Sequence, residues 1–352
     1  MMRVRTLHLI VDAGDLASAG AVEALEQAAQ IVRRGGLVAL PTETVYGLGA
    51  NALDKAAVER IFAAKQRPAW DPVIVHVADQ AMLEGIVEEV PETAKRLMET
   101  FWPGPLTLLL PRSAAVPDAV TAGRRLVGVR MPSHPVALEL IRRAGVPIAA
   151  PSANRFAHIS PTTAAHVLDD LDGRIDAVLD AGPTPRGVES TVLDPATKPM
   201  TIYRPGAITA EQIREVAGAV ERFKEREVAF GALKAAMPSP GSGIRHYAPR
   251  AKLILIDAGE AEVGERIAEA MNKWRDEKAG VMLPDDVAAP PGIDRVRIFR
   301  WGRWNAPEEL AQRLYAGLRA LDAAGCTVIL CPLPSAEGLG AAIRDRLEKA
   351  AK

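Results

Sequence analysis

Short apolar runs recur along the chain, each closed by glycine, proline or small polar residues, as buried strands are when they end in loops. LVAL at 37–40, VIVHV at 73–77, LTLLLP at 106–111, LVGVRM at 126–131 and VPIAAP at 146–151 are the clearest. Further strands are expected at 176–182, 188–194 and 200–204. Between them Val22, Leu25, Ala29 and Val32 recur at helical spacing over 18–34, with Gly35 as the C-cap. Asp54 should cap a helix to Ala64 that turns Val58, Ile61 and Phe62 inward; Pro91 opens another to Phe101, and 135–144 reads as a third. Ser160 followed by Pro161 predicts a helix start with Pro at the first helical position. Thr209 and Gln212 form a capping box for a helix to about Phe223.

The pattern weakens over 224–250, where MPSPGSGIRHYAPRA reads as a linker, although His246-Tyr247-Ala248-Pro249 is unusually specific for one. Beyond it LILID, GVML, RVRIF and TVILCPL alternate with helical stretches at 260–277, 306–324 and 338–350, the signature of a parallel α/β unit. A length of 352 residues suits about two domains. The expected division is residues 1–223, a linker over 224–250, and a small Rossmann-like domain over 251–352.

Composition narrows the chemistry. A formal net charge of -1 means that any nucleotide or nucleic-acid site is a local patch. Cys326 and Cys331 lack the partners of a zinc set and read as reduced, buried strand residues. No leader-like h-region or spanning run is seen, so the cytoplasm is the expected compartment, with no membrane partner. The densest polar group is in LVALPTETVYGLG at 37–49, where an apolar run passes into hydroxyls and one carboxylate. Open α/β sheets commonly bind ligands at such strand ends. Arg130, inside an apolar strand, requires an anionic partner from protein or ligand.

The candidates are Thr44, Lys65, Arg67, His76, Arg130, Ser152, Asn154, Ser160, Ser190 and Arg204. Plain structural roles compete for several: Lys65 and Arg67 as helix C-terminal cations, His76 as a packing residue, Ser160 as an N-cap. Cations and hydroxyls dominate the set and carboxylates are scarce, which suits an anionic, phosphate-bearing ligand. There is no G-x-S-x-G elbow and no G-x-x-x-x-G-K-[ST] loop, and GLGAN at 47–51 lacks the third glycine of a dinucleotide fingerprint.

PTETVYGLG, KQRP followed by DPVIVHV, WPGPLT, VRMPSHP, PSAN with SPTT, ESTV and YRPG stand in an order and spacing that resembles the YrdC-type threonylcarbamoyl-AMP synthases. The HYAP linker and trailing α/β domain resemble the long, two-domain branch of that family. The resemblance implies a twisted open mixed sheet followed by the smaller Rossmann-like domain. It also implies synthesis of threonylcarbamoyl-AMP and pyrophosphate from L-threonine, bicarbonate and ATP with Mg2+. That is the first step of threonylcarbamoyladenosine formation on tRNA, and the product passes to a downstream transferase complex. By the family's pattern Lys65 and Arg67 hold phosphates and are the catalytic cations, with Asp71, Ser152, Asn154, Ser160, Arg204 and Tyr247 around the nucleotide. Thr44, His76, Arg130 and Ser190 hold threonine and its carbamate. Tyr247 acts as a lid, and the metal arrives through the ATP phosphates and not through protein ligands.

Two departures stand out. Asp71 occupies a position where the family usually has Asn, and Phe156-Ala157 replaces a usual Ser-Gly. A rival reading is a module for double-stranded RNA or tRNA without adenylation activity, its basic face built from Lys65, Arg67, Arg124, Arg125 and Arg130. Direct contact with tRNA stays open in either reading. A carbamoyl-phosphate-using transferase is a weaker rival, since the chain lacks the length and cysteines of that class.

Overall fold

The structure is a computed structural model that describes residues 5–223 and 246–352. The described residues form two compact units: residues 5–156, 161–185 and 189–223 in one, and 157–160, 186–188 and 246–352 in the other. Most of the expected linker, 224–245, lies outside the described residues.

In chain order the first unit contains β1 (Leu7–Ile10), α1 (Ala19–Arg33), β2 (Val38–Leu40), β3 (Gly47–Asn51), α2 (Lys55–Lys65), β4 (Ile74–His76), α3 (Gln80–Ile86) and α4 (Glu92–Phe101). It continues with β5 (Leu106–Pro111), α5 (Asp118–Thr121), β6 (Leu126–Arg130), α6 (Pro135–Ala144), β7 (Ile148–Ala149), α7 (Ala164–Leu171), β8 (Ala177–Asp180), β9 (Thr191–Asp194), β10 (Met200–Arg204), α8 (Ala210–Ala217) and β11 (Val220–Arg222). The strands make one mixed sheet in the order β1-β8-β2-β3-β7-β4-β6-β5-β9-β10-β11.

Both faces of this sheet are covered, which is why its strands read as unbroken apolar runs. Successive β2 residues alternate sides: Ala39 joins the core beneath α2, α4 and α7, while Val38 and Leu40 pack with α1 and α6. The first core runs under almost the whole sheet. On the opposite face α1 and α6 cover the β1-to-β7 half, and only a small apolar group of Ile74, Leu109 and Val192 marks the β4-β6-β5-β9 half.

Several expected element ends move. Helix α7 begins at Ala164, capped by the Thr163 side chain on the His166 amide, so Ser160 is not an N-cap and Pro161 is not a first helical residue. The reason lies in the backbone: Tyr46 donates its N–H to Pro161 O at 2.9 Å and Thr184 to Thr162 O at 2.9 Å, so these carbonyls serve other segments and not a helix. The capping box of Thr209 and Gln212 forms, but α8 stops at Ala217 because Gly218 turns to a φ of 95°, and 220–222 join the sheet as β11. Strand β9 starts at Thr191, leaving Glu189 and Ser190 in the segment before it.

The second unit contains β12 (Lys252–Ile256), α9 (Val263–Lys273), β13 (Ala279–Leu283), β14 (Arg297–Arg300), α10 (Pro307–Ala323), β15 (Val328–Pro332) and α11 (Gly340–Ala351). All of its strand pairs are parallel, in the order β12-β15-β13-β14. Trp301, fully buried, donates its indole N–H to Leu310 O at 2.7 Å and ties β14 to α10. Cys326 and Cys331 are free and buried.

Candidate active site

Strand alternation assembles the site on a face of the sheet. In β4, β6, β5 and β9, Val75, Val129, Leu108 and Leu193 point into the large core. Their neighbours His76, Arg130 and Thr107, with Ser190 just ahead of β9, therefore project to the other side, over the half of that face which α1 and α6 do not cover. His76 and Arg130 sit side by side in register on β4 and β6. Strand β7 runs antiparallel to β4 and delivers Ser152–Asn154 level with the start of β4, at the end away from His76.

Arg130 is the hub. Its Nη2 lies 2.6 Å from Glu43 Oε1, its Nη1 donates to Thr44 Oγ1 at 3.0 Å, and its Nε donates to Gly104 O at 3.2 Å. Both Arg130 and Glu43 are buried. The anionic partner that Arg130 requires is thus supplied by the PTET loop between β2 and β3. That loop is ordered by Thr42, whose hydroxyl donates to Val45 O at 2.7 Å and meets Thr44 Oγ1 at 2.8 Å. Burial, reinforced by the Arg130 charge, pushes the His76 imidazole down to about 3, so it is neutral. Burial also lowers the His134 pKa, partly opposed by Glu43.

A second group surrounds Ser190. Its hydroxyl meets Thr107 Oγ1 at 2.8 Å and accepts from Arg204 Nη2 at 3.0 Å, while Arg204 Nε donates to Ser190 O at 3.0 Å. Gly206 makes this possible: a Cβ there would lie 2.3 Å from the Thr191 nitrogen. The two groups meet through the WPGPLT segment, where Gly104 O accepts from Arg130 and Pro105 O from the Thr191 amide.

Lys65, at the last turn of α2, is almost wholly buried and donates Nζ to the Ser152 and Asn154 carbonyls. Burial first, then the neighbouring Arg67, drives its pKa well below the ordinary lysine value. The same loop is held against the PTET loop by Ala153 N to Tyr46 O at 2.8 Å. The Asn154 amide donates to Arg155 O at 2.7 Å, and Ser152 is half-buried. Arg67 pairs with Asp71 at 3.0 Å and donates to Pro72 O at 2.7 Å, so the carboxylate that departs from the family pattern faces an arginine. Ala157 adopts a φ of 67°, the left-handed conformation its glycine counterpart would take without strain.

Ten of the candidates, Asp71 among them, therefore lie in the first unit, in three local groups around Arg130, Ser190 and Lys65–Arg67. Ser160 and Tyr247 belong to the second unit. There Tyr247, at a φ of 63°, is buried against Tyr315 with ring centroids 5.8 Å apart and the Arg346 guanidinium 5.3 Å from its ring. Glu43 and Thr107 went unnoticed as site residues. For Thr107 a signal was present, one hydroxyl interrupting LTLLLP; for Glu43 the sequence offered only a lone carboxylate among the hydroxyls of LVALPTETVYGLG. Among the described residues no three carboxylate, imidazole or thiolate groups converge to hold a metal, and no helix is long and apolar enough to cross a membrane.

A family model described as "Telomere recombination" (Sua5, YciO and YrdC) matches residues 30–206, and one described as "Threonylcarbamoyl-AMP synthase, C-terminal domain" matches 208–352. The chain is 44% identical over 325 residues to a threonylcarbamoyl-AMP synthase of Pyrococcus abyssi, covering 92% of each chain. It is 43% identical over 355 residues to one of Bacillus subtilis, covering 99% of this chain and 98% of that one. The crystal structure of P. abyssi Sua5 complexed with L-threonine is similar with a TM-score of 0.88 at 40% identity, covering 98% of both chains. The eight sequence motifs, the mixed sheet with its parallel companion and these likenesses agree: the chain belongs to the Sua5/YrdC family of threonylcarbamoyl-AMP synthases, in its two-domain form.

Proposed function

We propose that this chain combines L-threonine, bicarbonate and ATP into threonylcarbamoyl-AMP and pyrophosphate. The observation that carries the reading is the buried Arg130 group with its hydroxyl and imidazole neighbours, in the same unit as the buried cations Lys65 and Arg67, in a chain so similar to a relative crystallised with L-threonine. The reaction brings two anions together. The carbamate formed on the threonine nitrogen attacks the α-phosphorus of ATP, and pyrophosphate leaves. Fixed positive charge in a water-poor site is what such a step needs, more than a nucleophile or a strong acid.

In this reading Thr44, His76, Arg130 and Ser190 surround threonine and its carbamate. Neutral His76 serves there as a hydrogen-bonding group and not as a cation. Lys65 and Arg67 act on the phosphates, Lys65 also by clamping the loop of Ser152 and Asn154. Asp71 tempers the charge of Arg67. Arg204 adds to the nucleotide contacts. Mg2+ enters with the ATP phosphates as part of the substrate, where it would neutralise charge on the departing pyrophosphate. Cytoplasmic residence and hand-over of the product to a tRNA-modifying transferase belong to the same proposal.

The RNA-binding alternative is poorly supported by the burial of its own cations. Three of its five cations, Lys65, Arg67 and Arg130, are 1%, 8% and 3% exposed and only Arg125 is exposed, whereas a phosphate-tracking face needs solvent-facing charge. The separating experiment measures threonine-dependent pyrophosphate release alongside RNA binding over a salt series. Release without salt-steep RNA affinity supports the synthase; the reverse supports the binding module.

A further inference from the structure

We propose that Glu43 receives the α-ammonium of the amino-acid substrate and accepts its proton as the carbamate forms. The inference deepens the reading of the Arg130 group as the threonine site and rests on it. Glu43 is 4% exposed and sits in the loop between β2 and β3, next to Thr44. Its Oε1 is met by Arg130 Nη2 at 2.6 Å, while its Oε2 has no hydrogen-bond partner among the described residues. A buried carboxylate with an acceptor oxygen unfilled is costly unless a donor arrives.

The groups facing it are Arg130 from β6, His134 from the segment before α6, and Thr44; His76 from β4 stands beyond Arg130 in register. His134 and His76 each present an Nδ1 without a hydrogen-bond partner among the described residues. The arrangement is divided in sign. Arg130 offers a cation and Thr44 a hydroxyl, as a substrate carboxylate requires, while Glu43 offers a carboxylate beside that arginine's Nη2. An α-amino acid carries both charges one carbon apart. The imidazoles, kept neutral by burial, bring no charge to balance an ammonium.

The chemistry balances. The ammonium transfers one proton to Glu43, leaving a neutral amine whose lone pair forms the N–C bond to bicarbonate. The bicarbonate C–OH bond breaks, and the hydroxide takes the second nitrogen proton and leaves as water. The carbamate remains as an anion, and Glu43 returns its proton to solvent before the next turnover.

The test compares wild type with Glu43→Gln, which keeps shape and an oxygen acceptor but loses charge. Binding of L-threonine and of 3-hydroxybutyrate, which retains carboxylate and hydroxyl but lacks the ammonium, is measured by calorimetry, after wild type has shown threonine-dependent pyrophosphate release. Failure of that first step overturns the synthase reading and not the role of Glu43. The variant is expected to lose about 10- to 100-fold in affinity for threonine while its affinity for hydroxybutyrate changes less than threefold. Its pyrophosphate-release rate should recover towards that of wild type as pH rises and free amine becomes available without a base. An equal loss for both ligands, or a deficit independent of pH, would show that Glu43 merely holds Arg130 and would overturn the proposal. If Glu43→Gln fails to fold, Glu43→Asp, which keeps the charge but withdraws it by one methylene, must restore the preference for threonine over hydroxybutyrate; absence of that preference also overturns it.

Discussion

Replacing Asp71 by Asn should lower stability and tighten ATP binding together. The Arg67–Asp71 pair is 3.0 Å apart with both side chains 4% exposed. At an effective dielectric of about 20, two unit charges at that distance attract by roughly 5–6 kcal/mol. Lost hydration offsets much of this, and removing one partner of a buried pair typically costs about 3–5 kcal/mol. Arg67 would keep the backbone acceptors Asp71 O at 3.2 Å and Pro72 O at 2.7 Å, and the asparagine oxygen could still accept, so about 1–3 kcal/mol is expected. That corresponds to a fall in melting temperature of roughly 3–8 °C. Freed of its counter-charge, Arg67 should bind the triphosphate more tightly, by about fivefold or 1 kcal/mol. Thermal unfolding and calorimetric titration with Mg-ATP read the two effects. An unchanged melting temperature with weaker ATP binding would refute the reasoning.

His76 sets an acid limb. Its pKa is about 3 when folded, against about 6.5 when unfolded. Its contribution to stability is therefore complete above pH 6.5 and is lost as pH falls towards 3, by up to about 1.4 kcal/mol per unit; denaturant unfolding of His76→Asn between pH 6.5 and 4 should show a flatter profile than wild type. Lys65→Met should reduce pyrophosphate release at least about 100-fold with a small change in melting temperature, because relief of the buried charge offsets the lost bonds to the Ser152 and Asn154 carbonyls; a large loss of stability with retained activity would contradict this. Gly206→Ala should destabilise by roughly 2–4 kcal/mol in urea unfolding, since the added carbon meets the backbone nitrogen of Thr191 at 2.3 Å. Ala157→Gly should stabilise by about 0.5–1 kcal/mol by relieving the left-handed φ of 67°.

How far the fold could be read from the sequence depended on where the deciding interactions lie. Local signals were sound: Asp54 caps α2 through the amides of Ala56 and Ala57, the Thr209–Gln212 box closes on itself, and α6 spans Pro135–Ala144 as its spacing predicts. Signals overridden by distant partners failed. Ser160-Pro161 has the chemistry of a helix start, but amides from Tyr46 and Thr184 engage the Pro161 and Thr162 carbonyls instead. The expected helix to Phe223 gave way at Gly218, whose backbone freedom the capping box upstream could not reveal. The site followed the same division. Arg130 announced itself as a cation inside an apolar strand, whereas its contact with Glu43 depends on the β2–β3 loop crossing several strands. Nothing in the spacing of residues 43 and 130 encodes that contact.

The most direct test of the account follows pyrophosphate release from Mg-ATP by the purified chain in bicarbonate buffer, with and without L-threonine, using Arg130→Ala as the comparison. The account predicts release that requires both threonine and bicarbonate and falls at least about 100-fold in the variant. Release indifferent to threonine, or equal in the variant, would contradict the assignment of this face of the sheet as the place where the amino acid is carbamoylated and adenylated.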